Sequence, residues 1–555
     1  MKHITIKCEN NNVTKDYIVG AELQYIAEDL GIHIKGGIFG AYVNNKQREM
    51  NYSIIKPANI RFFGMETIDG QRTYSRTLFF VLYKAVYDLY GKYKVTLENS
   101  VYSGYYYTIK NGRNPLMPDD IKAIKNRMKE IILKNHPIIR KELPTQQAIK
   151  LFERQGLHPK TKLLKTRGHL YTSVYYLDNV VDYYFGYLAP STGYLNLFDL
   201  TPYKRGVILS IPDPATNFTT VKQFVNQDKM LSNFAACNRW QEMLKIENIG
   251  DLNEKVNAGE ISDLIKIAEA GQEVKIHEAA QKIKKQNKRL RIILIAGPSS
   301  SGKTTSAQRL GIHLNLFGIK SVKISLDDYF VDRELTPRDK HGDYDFEALE
   351  ALDIKFFNEQ LLDLLAGKEI EIPKFDFITG KRVFDGTKLK IGKRDMIIIE
   401  GIHGLNPMLT PYIDNKYIFK MYVSALTTIS IDGHNIIPTT DNRLIRRIVR
   451  DNLFRGYSAT DTIRRWEKVR DGEDKYIFPY QENADYMFNS ALIYELGVFK
   501  PYIMPVLAKV YENTPEYSEA QRLIKFISYF ESIDSKEIPP TSLMKEFLGG
   551  SSFKY

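Results

Sequence analysis

Cysteine is nearly absent from this 555-residue chain, which has only Cys8 and Cys237. Two thiols cannot build a disulfide framework or a multi-cysteine zinc site, and such sparing use fits a reducing compartment. No apolar run reaches the length that a bilayer span needs. The opening MKHITIKCENN lacks the apolar core of a signal peptide. These absences predict a cytoplasmic protein with no membrane partner. An acidic excess is also missing: 78 Lys and Arg against 66 Asp and Glu leave a net charge of +12. That balance, with the basic stretch at residues 282–291, favours anionic ligands, either nucleotides or RNA. What is present, 43% hydrophobic and 26% charged residues, is a globular composition, long enough for about three to four domains.

The chain is organised around residues 291–306, RIILIAGPSSSGKTTS. Five apolar residues, 292–296, read as a buried strand. Gly297 to Thr304 then match G-x-x-x-x-G-K-[ST] in full. A polyphosphate needs many donors at close range; glycines let backbone N–H groups curl around it, and the following helix adds its positive end. Gly297, Ser299, Ser300, Ser301, Gly302, Lys303, Thr304 and Thr305 are therefore candidate phosphate ligands. Lys303 would reach the β- and γ-phosphates of ATP, and the Thr304 hydroxyl would ligate Mg²⁺. The amphipathic pattern Ala307, Leu310, Leu314, Leu316 supplies the helix that the loop requires.

Upstream, residues 1–65 alternate in short bursts around a helix-like segment at 23–30, the pattern of a small β-grasp module. A helix is predicted over 69–90, a strand pair over 95–109, helices over 118–133 and 145–155, and strands over 170–176 and 193–200. Residues 210–285 form a bridge with helices at 234–244, 252–258, 261–270 and 279–288. Residues 511–555 carry one amphipathic helix and a short one at 542–547, a tail assigned to packing.

GYYYTI at 104–109, DDIKAIKNRMKEIILKNHPIIRKELPTQQAIKLFERQG at 119–156 and DYYFGYLAPSTGYLNLFDL at 182–200 resemble threonyl-tRNA synthetase, in its N-terminal TGS module and its editing domain. In that family, editing uses two histidines four apart on a helix, plus a Cys and a further His. Aligning on residues 85–90 puts Arg76 and Phe80 at the paired-histidine positions, and Tyr184 and Leu188 at the other two. Residues 66–200 contain no Cys, and His136, His158 and His169 are isolated. The resemblance thus implies an editing domain stripped of its chemistry. Its cleft is expected to persist as a docking or sensing surface, or as a scaffold.

From residue 291 strands alternate with helices, which predicts a parallel sheet with ligands beyond its C-terminal edge. The second strand runs into Ser325-Leu326-Asp327-Asp328, the third into Glu400-Gly401-Ile402-His403, so Asp327 and Glu400 project toward the phosphate loop. ISLDDYF, DYDFEALEALD at 343–353, EIPKFDF at 371–377, IIIEGIHGL at 397–405 and DNRLIRRIVRD at 441–451 resemble the uridine kinase and phosphoribulokinase family. The resemblance implies that Asp327 is the catalytic acid–base group and helps hold Mg²⁺, that Glu347 holds sugar hydroxyls, and that Glu400 lies near the metal. Arg443, Arg446, Arg447 and Arg450, spaced i, i+3, i+4, i+7, form one helical stripe. With Arg455 they are similar to the family's lid; Arg443, Arg446 and Arg450 are expected to bind substrate phosphates, with Arg447 and Arg455 on the lid itself. Uridine kinases contact the pyrimidine with a Tyr and with a His five residues later; here those positions hold Phe375 and Gly380, so base preference is open.

The expected architecture is multidomain α+β and α/β: a TGS-like module at 1–65, an editing-like domain at 66–225, a helical bridge at 226–288, a P-loop kinase domain at 289–510 and a tail at 511–555. The expected activity is ATP- and Mg²⁺-dependent phosphorylation of a nucleoside hydroxyl. A phosphoribulokinase-like sugar kinase and an ATP-switched RNA-binding regulator are the alternatives. Partners on these readings are a nucleoside or sugar, RNA, and a second copy of the chain.

Overall fold

The computed structural model describes residues 2–101, 104–110, 116–339 and 342–554. The fold is mixed α/β, as the patterning predicts. The first sheet has the strand order Val13–Ile18, His3–Cys8, Ala58–Phe63, Gly40–Val43, Lys46–Arg48. Strict alternation along His3–Cys8 turns Ile4, Ile6 and Cys8 inward, where the helix Leu23–Asp29 covers them with Leu23, Ile26 and Ala27.

The helix Ile68–Tyr90 follows, capped by the Thr67 side chain, which accepts from Gly70 N–H. It packs among a four-stranded antiparallel sheet (94–101, 104–110, 199–203 and 206–210), a three-stranded sheet (139–144, 171–177, 180–182) and the helix Pro118–Leu133. The strand Ile139–Pro144 and the helix His158–Arg167 escape sequence patterning. The strand is an exposed edge with no alternation, and the helix is rich in Lys and Thr.

The cleft expected at the editing-site positions is closed. Phe80, Tyr184 and Leu188 are buried, with the rings of Phe80 and Tyr184 5.5 Å apart. Arg76 donates to the Tyr187 carbonyl at 3.3 Å. Large apolar side chains at these positions close the space among themselves. A loop from the C-terminal half, residues 425–438, reaches into the neighbouring ground. Its Asp432 pairs with Lys160 at 3.1 Å, and Lys160 in turn pairs with Asp182 at 2.9 Å. His434 meets Asp182 at 2.7 Å and lies against the Tyr83 ring. Asn435 exchanges hydrogen bonds with the backbone of Tyr183 and Phe185. The docking or sensing cleft is therefore corrected to a filled junction.

The bridge comprises the helices Asp228–Leu244, Ile249–Asn257 and Ile261–Gln286. The last is continuous, where two separate helices were predicted. Gly271 and the polar residues after it mimic a break, but Gln272 is buried and donates to the Ser490 carbonyl.

The C-terminal half is built on five parallel strands in the order Ser321–Ser325, Met396–Glu400, Ile292–Ala296, Ile418–Ser424, Tyr486–Asn489. The earliest strand lies in the middle, so the chain reverses direction beside it, and the crevice at its C-terminal end is where ligands of such sheets bind. One apolar core runs from Ala148 to Phe547, so editing-like region, bridge, sheet and tail share an interior. No helix among the described residues is long and apolar enough to cross a membrane.

Candidate active site

The strand Ile292–Ala296 is buried throughout and delivers the chain to Gly297. A Cβ at Gly297 would lie 2.0 Å from the Val423 carbonyl oxygen, so only glycine lets the loop leave the sheet there. Ser300 and Gly302 take positive φ values of 58° and 82°, curling the backbone before the helix Lys303–Leu316 begins. Lys303 folds back onto the Gly297 and Pro298 carbonyls at 3.0 and 3.3 Å.

Three carboxylates feel the charge of that ammonium. Glu400 ends its strand and accepts from the hydroxyls of Thr304 at 3.1 Å and Ser325 at 3.4 Å. Burial pushes its carboxyl up to about 7 against the pull of Lys303, with Asp327 adding to the rise. Glu347 is likewise raised to about 7, by burial and by the Glu473 charge, while Arg447 and Lys303 pull it back. Its place depends on Gly472, where a Cβ would stand 2.5 Å from Glu347 Cβ. Asp327 opens to solvent at the mouth of the crevice; the protein mass around it raises its carboxyl, opposed by Lys303, Arg455 and Arg450. Asp327, Glu347 and Glu400, taken from three separate motifs, all feel the charge of Lys303. Among the described residues no three His, Cys, Asp or Glu side chains form a metal cage. Thr304, Asp327 and Glu400 instead supply two carboxylates and a hydroxyl, an open oxygen set that suits a Mg²⁺ completed by phosphate and water.

Residues 292–493 match the Phosphoribulokinase / Uridine kinase family. A uridine kinase from Saccharomyces cerevisiae is 32% identical over 200 residues, 35% of this chain and 36% of that protein. A threonine–tRNA ligase from Syntrophotalea carbinolica is 30% identical over 177 residues, 32% of this chain and 28% of the ligase; this likeness lies in the N-terminal region. The chain thus spans less than a third of the ligase it matches. A solved structure titled as a possible uridine kinase from Bacillus stearothermophilus is 21% identical, covering 36% of this chain and 89% of that one, with a TM-score of 0.25.

Within the kinase-family region the arginines depart from expectation. The helix Thr439–Phe454 is part of the core rather than a lid. Arg443 and Arg446 are 1% and 0% exposed. Arg443 pairs with Glu473 and donates to the Ser299 carbonyl at 3.1 Å; Arg446 pairs with Glu495 and reaches the Ser300 carbonyl at 3.3 Å. In this structure both are buried braces of the phosphate loop rather than side chains standing free for substrate, although each keeps an Nε–H without a partner among the described residues. Arg447 and Arg450 reach the hydroxyls of Ser299 at 2.7 Å and Ser300 at 3.4 Å. Arg455, half-exposed at the helix end, touches Asp451 at 3.3 Å and carries what remains of the lid reading.

Phe375 lies on the hairpin formed by Ile370–Asp376 and Lys381–Leu389. Its ring is 5.5 Å from that of Phe330 and 5.2 Å from that of Phe377, and its N–H faces Asp328 at 3.4 Å. Sequence reasoning missed Glu473, which is fully buried and accepts from the Ser299 N–H at 3.2 Å, and Glu546, which accepts from Thr305. Neither belongs to a motif. His403 did stand in one, three residues after Glu400; it is buried, which pushes its imidazole down to about 4, and it faces the Tyr476 ring.

Proposed function

We propose that the protein is an ATP- and Mg²⁺-dependent kinase that phosphorylates a hydroxyl of a nucleoside or a similar sugar alcohol. The observation that carries this reading is the phosphate loop at the crevice of the parallel sheet, where Glu400, at the end of its own strand, accepts from the Thr304 hydroxyl at 3.1 Å. Lys303 turns from the Gly297 and Pro298 carbonyls to the phosphates. Asp327 takes the proton of the acceptor hydroxyl. Its openness to solvent gives the acceptor a way in. Glu347 accepts hydrogen bonds from the remaining acceptor hydroxyls. Arg447, Arg450 and Arg455 face charge that builds up as the phosphoryl group moves. Mg²⁺, held by Thr304, Asp327 and Glu400, neutralises phosphate charge when bound.

A phosphoribulokinase-like sugar acceptor is the second reading. The ring cluster of Phe330, Phe375 and Phe377 offers stacking. Gly380 brings no side chain to the position where a base-reading histidine was sought. Such a wall discriminates weakly between bases.

A screen of nucleosides and sugar alcohols for ATP-dependent phosphorylation tests both readings. Lys303→Ala is expected to abolish transfer and weaken ATP binding with an unchanged melting curve. Turnover undiminished in that variant would refute the kinase assignment.

A further inference from the structure

Nothing in the sequence marks residues 511–555 as more than packing, yet one of their carboxylates lies on the phosphate loop. The Thr305 hydroxyl and N–H both donate to Glu546 Oε2, at 2.5 and 3.3 Å. Thr305 is thereby fully buried, although it stands in the first turn of the helix whose N–H groups face a bound phosphate. Glu546 belongs to a short turn, Lys545–Leu548, held down by Leu543, Met544 and Phe547, all fully buried. Leu543 packs directly against Gly302. The Phe547 ring lies 5.1 Å from the Arg446 guanidinium and 5.7 Å from that of Arg450. Arg450 also faces Glu546 itself at 3.8 Å. Farther along, the Lys554 carbonyl accepts from Gln308, on the same helix as Thr305, at 2.7 Å.

A nucleotide phosphate needs the same donors. The first-turn N–H groups of a phosphate-loop helix, with the hydroxyl beside them, are what a bound phosphate takes. One N–H and one hydroxyl cannot serve a carboxylate and a phosphate oxygen together, and two anions forced side by side repel strongly away from bulk water.

We propose that residues 542–548 are an internal competitor for nucleotide: ATP takes Thr305 from Glu546 and loosens the segment from the phosphate loop. This rests on reading residues 297–305 as a nucleotide-phosphate site. Displacement has a consequence at that site. Arg450 loses the carboxylate it faces at 3.8 Å and turns its charge to the incoming phosphates. The resting chain therefore holds its own anion where the substrate's anion belongs, and the affinity for ATP is set partly by the cost of detaching the segment.

The test uses the full chain and ATP with Mg²⁺, without any acceptor. Calorimetric titration compares wild type with Glu546→Gln, and hydrogen exchange follows residues 542–550 of the wild type with and without ATP. Glu546→Gln is expected to bind ATP about tenfold more tightly, because the neutral amide competes poorly at a helix N-terminus. In the wild type, ATP is expected to speed exchange across 542–550 by tenfold or more. Exchange that is unchanged or slowed on adding ATP overturns the proposal, as does equal or weaker binding by a folded Glu546→Gln. If that variant does not fold, the wild-type exchange decides alone. Failure of the wild type to bind ATP refutes the kinase reading, whereas binding with the segment unmoved refutes only the competitor.

Discussion

Asp327 and Asp328 are adjacent acids in one motif, and the fold gives them different work. Asp327 opens to the crevice and feels Lys303, Arg450 and Arg455, whereas Asp328 is engaged with the Phe375 N–H. Asp327→Asn is expected to lower kcat by about a hundredfold or more, the scale of a lost general base, while Asp328→Asn costs far less; steady-state kinetics on the acceptor found by screening decides between them. Glu347 makes a prediction about stability. Its folded-state carboxyl is raised to about 7, above the usual glutamate range. The protonated form is thus favoured in the fold, and the stability it brings is full below the ordinary glutamate range and lost as pH climbs through 7. Glu347→Gln is therefore expected to raise the melting temperature at pH 8 and leave it nearly unchanged at pH 5, while phosphoryl transfer falls. A variant that melts lower at pH 8 than the wild type would contradict the sign.

At the level of elements, the helix Thr439–Phe454 shows what a sequence stripe can and cannot tell. Spacing of i, i+3, i+4, i+7 puts four arginines on one face, whether that face meets water, a ligand or buried glutamates. The decisive partners, Glu473 and Glu495, lie 30 and 49 positions away and carry no motif. Arg443→Ala leaves the buried Glu473 with only the Arg470 cation, at 3.3 Å, and is expected to lower the melting temperature, by less than the about 3–5 kcal/mol of a fully unpaired buried charge. Arg455→Ala, at an exposed position, is expected to lower turnover with the melting curve unmoved. What was legible followed from local rules. The phosphate loop declares itself by glycine spacing, and the parallel strands by short apolar runs, each leading to a motif acid. Asp327, Glu347 and Glu400 could be singled out because each stands in such a motif. The junction made by residues 425–438 and the Glu546 contact were not legible, because both depend on chain segments about 240 or more positions apart meeting in space.

For the whole molecule, the shared core from Ala148 to Phe547 predicts that the editing-like region and the kinase-family region unfold together. Calorimetry of the full chain is expected to show one main endotherm spanning them. The same closed packing at Arg76, Phe80, Tyr184 and Leu188 predicts a full-length protein that carries no stoichiometric zinc and hydrolyses no mischarged tRNA. Metal analysis and a deacylation assay check both. The junction of Lys160 with Asp182 and Asp432 also bears on how the chain is made. Lys160 and Asp182 leave the ribosome early, but the loop that completes their burial follows 272 residues after Lys160. At about 5–20 residues per second of synthesis, the nascent N-terminal half waits about 15–55 s with this surface unfinished. During that interval it is a client for holding chaperones, and a pause in translation between residues 182 and 432 would lengthen its exposure.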